Sequence, residues 1–466
     1  MNTRVLRIEL KRSVAPWAGA VVLTTALAFL FLLKGTFDRG TTAWTAQWTS
    51  MALWIRGLLF YLWPLAVGFG ALQGLRDRRS KMSELLTTTS RPAWQRAAAP
   101  AGTTAITLAS AFALLVLVGG VQVLANTAYT HLGWLPISLV GALALVAGAL
   151  LGMGVGKALP SVLTPPLLAV AAFAFTALMQ TSLGRTERET APGFTAMEPN
   201  RLSLLSPAVQ EVRDTLVTFS ASVHLGQTIW LLGMAATGFG LLVAARPRTR
   251  LLALTPVLAG AALALLVLPS DPNRMYVVDK TAAELVCDGP VCVTRMQEAR
   301  LAGLAAPGKE ALRLLHGALG GQAPVSVRED TSVLPEGSTP KWSRTTVLLD
   351  FDDDLIVSAK GEERTRALVG KGLVPGCSPV GWSGAGPEDI ARTAATAWVL
   401  GKFEPLPRAL PSDLLREMDT EARAVWKKLE ALPAPQQRAR IDAMRTAALS
   451  CGERDALDAL TGGASR

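Results

Sequence analysis

The residues of this 466-residue chain with the clearest chemistry are its four cysteines, Cys287, Cys292, Cys377 and Cys451. All four follow residue 268, in the part of the chain that the charge pattern places outside the membrane, where an even number of cysteines predicts disulfides. The Gly-Pro turn within CDGPVC can bring Cys287 to Cys292. The expected pairs, one of three possible pairings, are Cys287–Cys292 and Cys377–Cys451. Zinc binding is the alternative, but the spacing lacks paired Cys-x-x-Cys motifs and the only histidine of this region is His316.

One glycine-rich stretch superficially suggests a nucleotide site. GMGVGKAL, at 152–159, contains the Gly-Lys pair of a phosphate-binding loop. However, Leu151 stands where the first glycine of that motif belongs, and Ala158 replaces its Ser or Thr. The stretch also lies at the end of an apolar segment. We therefore expect no ATP-binding site in this chain.

The remaining polar motifs also lack a catalytic or metal-binding pattern. GWSGAG, at 381–386, has no glycine two residues after Ser383, so it is not a nucleophile elbow and we expect a loop. DFDDD, at 350–354, could bind calcium but lacks the EF-hand pattern, which favours a solvated strand end. Three histidines and the absence of HExxH argue against a zinc hydrolase. The sequence therefore predicts no enzymatic activity, cofactor or metal for this chain.

Long apolar stretches make up most of the first 268 residues, and their number and orientation determine on which side of the membrane the polar segments lie. A bilayer core is crossed by about 20 mostly apolar residues in a helix. The sequence contains seven stretches of about this length, and the last of them is the shortest. They are 15–33, 51–75, 98–125, 135–156, 161–183, 223–245 and 251–268.

Charge orients these spans. The N-terminal tail and the second, fourth and sixth connectors carry 14 basic side chains against three acids, whereas the odd connectors hold seven basic side chains and six acids. The positive-inside rule therefore predicts a cytoplasmic N-terminus in the cell membrane, and seven spans place the tail outside. Residues 1–268 have a net charge of +12 and residues 269–466 of −2, so the total of +10 reflects topology and attraction to anionic lipids. We expect no nucleic-acid partner.

The predicted fold class is an α-helical polytopic membrane protein, with six plus one transmembrane helices, followed by an α+β extracytoplasmic domain. Its expected parts are an amphipathic elbow (1–14), a six-span domain (15–250), a seventh helix (251–268) and an extracytoplasmic domain with disulfides (269–466). About 200 residues suffice for an independent core in that last part.

Periodicity assigns the elements of the tail. MYVVD and the VLLDF–LIVSA region predict strands, and MQEARLAGLAAPGKEALRLLHGAL predicts a helix that breaks near Pro307. Three further segments have helical apolar spacing: PEDIARTAATAWVLGKF, SDLLREMDTEARAVWKKLEAL and QQRARIDAMRTAAL.

The second connector, at 76–100, is the most informative stretch for function. After four basic residues, Ser83 can cap a short helix that Pro92 ends, and Trp94 then stands at interface height. A short amphipathic helix between two spans suits docking to a soluble partner. The alternative is a basic connector that only sets topology.

This connector resembles that of ABC-2 type permeases. The shared features are an arginine-rich exit from the second span, an acidic residue followed by two leucines, and Arg-Pro before a tryptophan–arginine entry to the third span. The opening MNTRVLRIELKRSVAPW is similar to the amphipathic elbow of the family, and the loop at 184–222 to its extracellular element. The resemblance covers roughly residues 1–245. The seventh span and the tail depart from it, although VCDGPVCV and the helix that follows resemble an exterior domain attached to some actinobacterial members.

The resemblance implies a permease subunit of an exporter that docks a separate ATPase through the 76–97 connector. The residues that would face the ATPase are Arg78, Arg79, Glu84, Leu85 and Leu86. ATP and Mg would bind to that partner, and two permeases would pair as a homodimer or heterodimer among membrane lipids. The rival hypothesis is a membrane-anchored receptor or sensor, whose exterior domain binds a ligand or an envelope component.

Arg56 lies near the outer end of the second predicted span. It would be costly deep in lipid, so we expect its side chain to extend to the outer interface, with contact to a substrate as the alternative. For Gly148, Gly152, Gly154 and Gly156 we expect a role in helix packing.

Overall fold

The chain folds into two compact units that are rich in helix. The computed structural model describes residues 13–33, 40–76, 92–127, 129–191, 194–208, 215–334, 337–380, 386–408, 413–452 and 455–463. Unit 1 comprises Met1–Glu187 and Met197–Val278, and unit 2 comprises Arg188–Ala196 and Asp279–Arg466. The observed class, apolar helices together with an α+β unit, agrees with the coarse prediction.

Unit 1 is built from long apolar helices. Within the described ranges, six helices are long and apolar enough to cross a membrane, and a bent pair makes a seventh candidate. Many leucines on these helices point outward, which gives the bundle an apolar exterior of the kind that lipid covers. The helices are α1 (Ala15–Leu32), α2 (Trp48–Gly57), α3 (Leu59–Gly74), α4 (Ala93–Asn126), α5 (Trp134–Ala158), α6 (Thr164–Thr181), α7 (Ala221–Val243), α8 (Pro247–Leu252) and α9 (Thr255–Val267), the last two running together as one candidate span.

The second candidate span is broken, where the sequence predicted one continuous stretch. Helices α2 and α3 meet at Leu58 with a bend of 49°. Gly57 ends α2, and glycine is a weak helix former because its backbone loses the most freedom on folding. The break sets Arg56 in the last turn of α2.

Glycines bring α3 and α5 into backbone contact. A Cβ added at Gly70 would overlap the carbonyl of Ala149, and a Cβ added at Gly152 would overlap that of Val67. Gly70 and Gly74 are four residues apart on α3, as are Gly152 and Gly156 on α5, so each helix presents a groove without side chains. The expected packing role of Gly152 and Gly156 is therefore visible in the contacts.

Short strands form two further pairs, and the second of these pairs lies in unit 1. Strands β1 (Arg185–Ala191) and β2 (Phe194–Pro199) pair with each other, and β3 (Val217–Phe219) pairs antiparallel with β4 (Tyr276–Val278). The register sets Phe219 opposite Tyr276, and their rings stack 5.2 Å apart. The sequence predicted β4 but not its partner, which lies nearly 60 residues earlier.

Unit 2 has its own apolar core around a four-stranded sheet of order β5-β6-β7-β8. Strands β5 and β6 are antiparallel, whereas β6, β7 and β8 are parallel, with α10 as the crossover between β6 and β7. The strands are β5 (Leu285–Asp288), β6 (Val291–Thr294), β7 (Ser326–Glu329) and β8 (Thr346–Leu349). The helices are α10 (Glu298–Leu319), α11 (Asp354–Val357), α12 (Glu363–Leu373), α13 (Pro387–Leu400), α14 (Asp413–Glu430), α15 (Ala434–Ser450) and α16 (Ala456–Thr461).

Two predictions for unit 2 are wrong in detail. Helix α10 runs through Pro307 without a break, because its buried face packs on the sheet: a Cβ at Gly308 would lie 2.6 Å from Cγ2 of Val291. The LIVSA segment forms the short helix α11 rather than a strand. The Asp353 side chain accepts a hydrogen bond from Leu355 N at 2.9 Å, and this N-terminal cap starts the helix.

The four cysteines lie in the pairs that the sequence predicts, both at disulfide distance. Cys287 and Cys292 face each other across the β5–β6 hairpin, with sulfur atoms 2.10 Å apart. The sulfur atoms of Cys377 and Cys451 are 2.06 Å apart and join the segment after α12 to the end of α15.

Candidate functional site

The predicted ATPase-docking residues, Arg78, Arg79, Glu84, Leu85 and Leu86, lie outside the described residues. The elements on either side of them are defined. Helix α3 ends at Gly74 before the connector, and α4 begins at Ala93 after it, with Trp94 exposed.

Arg56 is fully buried, with 0% of its side chain exposed. The prediction that it extends to an interface is therefore wrong. A long side chain reaches the interface when no closer polar partner is available. Here, partners on the segment after α6 and on α7 hold it inside unit 1.

The guanidinium of Arg56 is only partly satisfied. Its Nε donates to the carbonyl oxygen of Pro207 at 3.2 Å, and Nη2 donates to Oε1 of Gln227 at 2.6 Å. Its Cζ lies 5.8 Å from the centre of the Phe219 ring, a cation–π distance. Nη1 has no hydrogen-bond partner among the residues that the structure describes.

Helix α7 fixes the acceptors of Arg56 by holding the neighbouring turn. Gln227 Nε2 donates to Leu204 O at 2.9 Å, and Trp230 Nε1 donates to Leu205 O at 3.0 Å. The two donors are three residues apart and so share one face of the helix. They hold the 3-10 turn Arg201–Leu205, which sets the Pro207 carbonyl against Arg56.

His224 adds a second polar group to this face of α7. It precedes Gln227 by three residues, and its ring lies edge-on to Phe219 at 6.1 Å. Its Nδ1 is buried without a partner in the described parts of the chain. We define the Arg56 site as Arg56, Phe219, His224 and Gln227 with the carbonyl of Pro207.

In the part of the chain that the structure describes, the Arg56 site carries a positive charge without a matching carboxylate. Within the described ranges no acidic side chain pairs with Arg56, although two neutral oxygens accept from it. Isolated buried charges are strongly disfavoured, and charged groups in protein interiors are normally paired. The arrangement is therefore suited to hold a hydrogen-bond acceptor, above all an anion.

No protein-family model, curated protein or solved structure matches the chain.

Unit 2 has a polar cluster of its own at the carboxyl end of its parallel strands. Glu329 accepts a hydrogen bond from Thr294 N at 2.6 Å, and burial raises the pKa of its carboxyl to about 7. The buried Lys371 pairs with Asp353 at 2.5 Å and also donates to Pro375 O. The described residues hold no group of three or more potential metal ligands, and Asp353 is committed to capping α11 and to Lys371. An ion pair and hydrogen bonds thus occupy the side chains of Asp353 and Lys371 in this cluster.

Sequence reasoning singled out Arg56 but missed its partners. Gln227 and His224 stand in an apolar stretch as ordinary polar residues of a span. Their spacing of three residues indicates that both side chains lie on one face of a helix. The neighbouring sequence does not show that this face contacts α2. The carbonyl of Pro207 carries no sequence signal, since every residue has a carbonyl.

Proposed function

We propose that this chain is the membrane-spanning permease subunit of an ABC-2 type exporter, coupled to a separate ATPase through the 76–97 connector. The observation that supports it best is a broken span that holds a buried arginine inside a bundle of apolar helices. Membrane transporters place binding groups at interruptions of their helices, where charges can be kept from lipid.

The proposed mechanism follows from chain order. Closure of the ATPase pair around ATP moves the connector, which joins α3 to α4. The break at Leu58 allows α3 to tilt while α2 keeps its contacts, so access to Arg56 changes. Two permeases pair, and ATP and Mg bind only to the ATPase.

The docking residues of this proposal are Arg78, Arg79, Glu84, Leu85 and Leu86, which come from the resemblance of the connector to ABC-2 permeases. A charged and apolar surface of this kind suits the groove of a soluble partner. Reversing the charge at Glu84 and replacing Leu85 by an acidic residue would change both the charge and the apolar area of this docking surface.

The test is co-purification with a separately encoded ATPase. We expect Glu84→Arg with Leu85→Asp to abolish assembly and the stimulation of ATP hydrolysis. The matched control is Ser161→Arg with Val162→Asp, the same kinds of change at exposed residues between α5 and α6. Assembly that survives the first pair, or that is lost equally in the control, would contradict the docking assignment.

The rival proposal is a membrane-anchored receptor or sensor. It is favoured by the separate apolar core of unit 2, which can serve as a binding domain. A receptor would keep its activity without any ATPase and would bind a ligand or an envelope component through unit 2. An adjacent reading frame for an ATP-binding cassette favours transport, and one for a regulator favours sensing.

A further inference from the structure

We infer that the Arg56 site binds the anionic head group, a phosphate or a carboxylate, of an amphiphilic molecule. This deepens the proposed function, on which it rests for the view that the bound molecule is the transported substrate. The binding itself is a property of this chain and needs no ATPase.

Charge is the first argument. The Arg56 side chain is 0% exposed, and the residues that the structure describes supply it with neutral acceptors only. Gln227, in direct contact with Nη2, is an amide where a carboxylate would have cancelled the charge. An anion would supply the missing charge and accept the hydrogen bond that Nη1 can still donate.

The arrangement of donors is the second argument. Pro207 and Gln227 occupy two sides of the guanidinium, through Nε and Nη2, which fixes its plane and leaves Nη1 as the free edge. His224, on the same helix face as Gln227 and against the same Phe219 ring, has an unpaired Nδ1, which donates in the tautomer that carries its proton there. Phosphate and carboxylate oxygens are the acceptors that such donors prefer.

The surroundings argue for an amphiphile rather than a bare anion. Phe219 of the site belongs to one buried cluster of apolar side chains from several elements, so a molecule that brings only charge would lose its hydration without apolar contacts in return. An attached acyl or other apolar chain would gain them. The cluster includes Ala52, Leu53, Leu204, Val223 and Leu268. Since Arg56 is fully buried, the head group enters when α2 and α3 change their angle at Leu58.

The experiment uses the full chain, purified in a nonionic detergent, with the midpoint of thermal unfolding followed by tryptophan fluorescence. The probes are short-chain phosphatidylglycerol, short-chain phosphatidylcholine and inorganic phosphate. A ligand that binds only the folded protein raises the midpoint, and at a fixed ligand concentration the rise grows with the logarithm of the affinity. We expect phosphatidylglycerol to raise it most, because it combines a net negative head with apolar chains. Inorganic phosphate that binds as tightly would overturn the amphiphile assignment.

Two variants test whether Arg56 is responsible for the binding of phosphatidylglycerol. We expect Arg56→Gln to weaken phosphatidylglycerol binding by about tenfold or more, because it removes a charge-assisted hydrogen bond. Arg248→Gln removes the same charge at an exposed residue and should leave the affinity unchanged. An unchanged affinity in Arg56→Gln, or an equal loss in Arg248→Gln, would overturn the inference.

A second variant keeps the test decisive if Arg56→Gln does not fold. Gln227→Glu places a carboxylate of the same shape against Nη2, so an internal group would take the place of the bound anion. We expect phosphatidylglycerol affinity to fall about tenfold or more in this variant, and full affinity there would contradict the inference. Because no ATPase is present, failure of binding and failure of ATPase assembly are observed separately.

Discussion

At the scale of single residues, two buried arginines differ in how completely their nitrogens are hydrogen-bonded. Arg445 in unit 2 donates from Nε, Nη1 and Nη2 to the backbone carbonyls of Gly372, Gln322 and Arg344. Each of its nitrogens therefore has an acceptor, and the side chain holds α15 against its neighbours. Arg56 is also buried, more completely than Arg445, but keeps one nitrogen unpaired. Complete satisfaction is the rule for buried polar groups, so an exception asks for an explanation.

Glu329 makes the stability of unit 2 depend on pH. Burial raises the pKa of this carboxyl from 4.5 to about 7, against the hydrogen bond from Thr294. Between these values the folded state holds a proton that the unfolded state has lost. The protonated Glu329 carboxyl therefore adds to the free energy of unfolding. This addition is fully present below pH 4.5 and is lost as pH rises through 7. Its upper limit is about 3 kcal/mol.

The corresponding prediction is that Glu329→Gln flattens the pH dependence of unfolding between pH 4.5 and 7. Glutamine stays neutral and can still accept from Thr294. The measurement is urea unfolding of residues 279–466, followed by tryptophan fluorescence, in wild type and variant. Glu298→Gln, at an exposed position, is the control and should leave the slope unchanged. Equal slopes in wild type and Glu329→Gln would show that Glu329 titrates normally.

At the scale of elements, the contact of α3 with α5 depends on the absence of side chains. We predict that Gly152→Ala lowers the thermal unfolding midpoint of the full chain, because its Cβ would overlap the Val67 carbonyl, a backbone group that cannot turn away. Forcing an extra carbon into such a contact costs about 1–3 kcal/mol. Gly317→Ala, in α10 with open space around it, is the matched control and should be neutral or stabilising by about 0.4–1 kcal/mol. Equal midpoints in wild type and Gly152→Ala would mean that the helices are not in close contact.

At the scale of the whole molecule, the charge pattern predicts that the tail lies outside the cell. A membrane-impermeant thiol reagent, applied to intact cells after reduction, should label Cys377 or Cys451. In a Ser83→Cys variant of a background without native cysteines, the new thiol should stay protected until the membrane is opened. The reverse pattern would contradict the orientation, and a protected tail alone would mean that 251–268 does not span.

The two disulfides should differ in how much they stabilise the fold of residues 279–466. Cys377–Cys451 joins residues 74 apart. In the chain-entropy model, a loop of that length constrains the unfolded state by roughly 4 kcal/mol. Cys287–Cys292 joins residues 5 apart, and a loop that short contributes less. Cys451→Ser should therefore lower the melting temperature of residues 279–466 more than Cys292→Ser does.

Peptide mapping without reduction checks the pairing itself. A Cys287–Cys377 crosslink, or four free thiols in protein taken from the cell surface, would contradict it.

The sequence by itself determined the features that depend on local composition. Apolar runs of sufficient length predicted the candidate spans to within a few residues, because a bilayer imposes a minimum length on any stretch that crosses it. The turn in CDGPVC predicted the first cysteine pair, since a tight turn fixes its own ends. Helical spacing predicted α13, α14 and α15. None of these depends on a distant partner.

Only the tertiary structure decided the features that join distant segments. Strand β3 pairs with β4 across nearly 60 residues. The partners of Arg56 come from the segment after α6 and from α7, up to 171 residues away. A sequence shows that a buried arginine needs compensation, but which atoms provide it is settled only when the chain has folded around it.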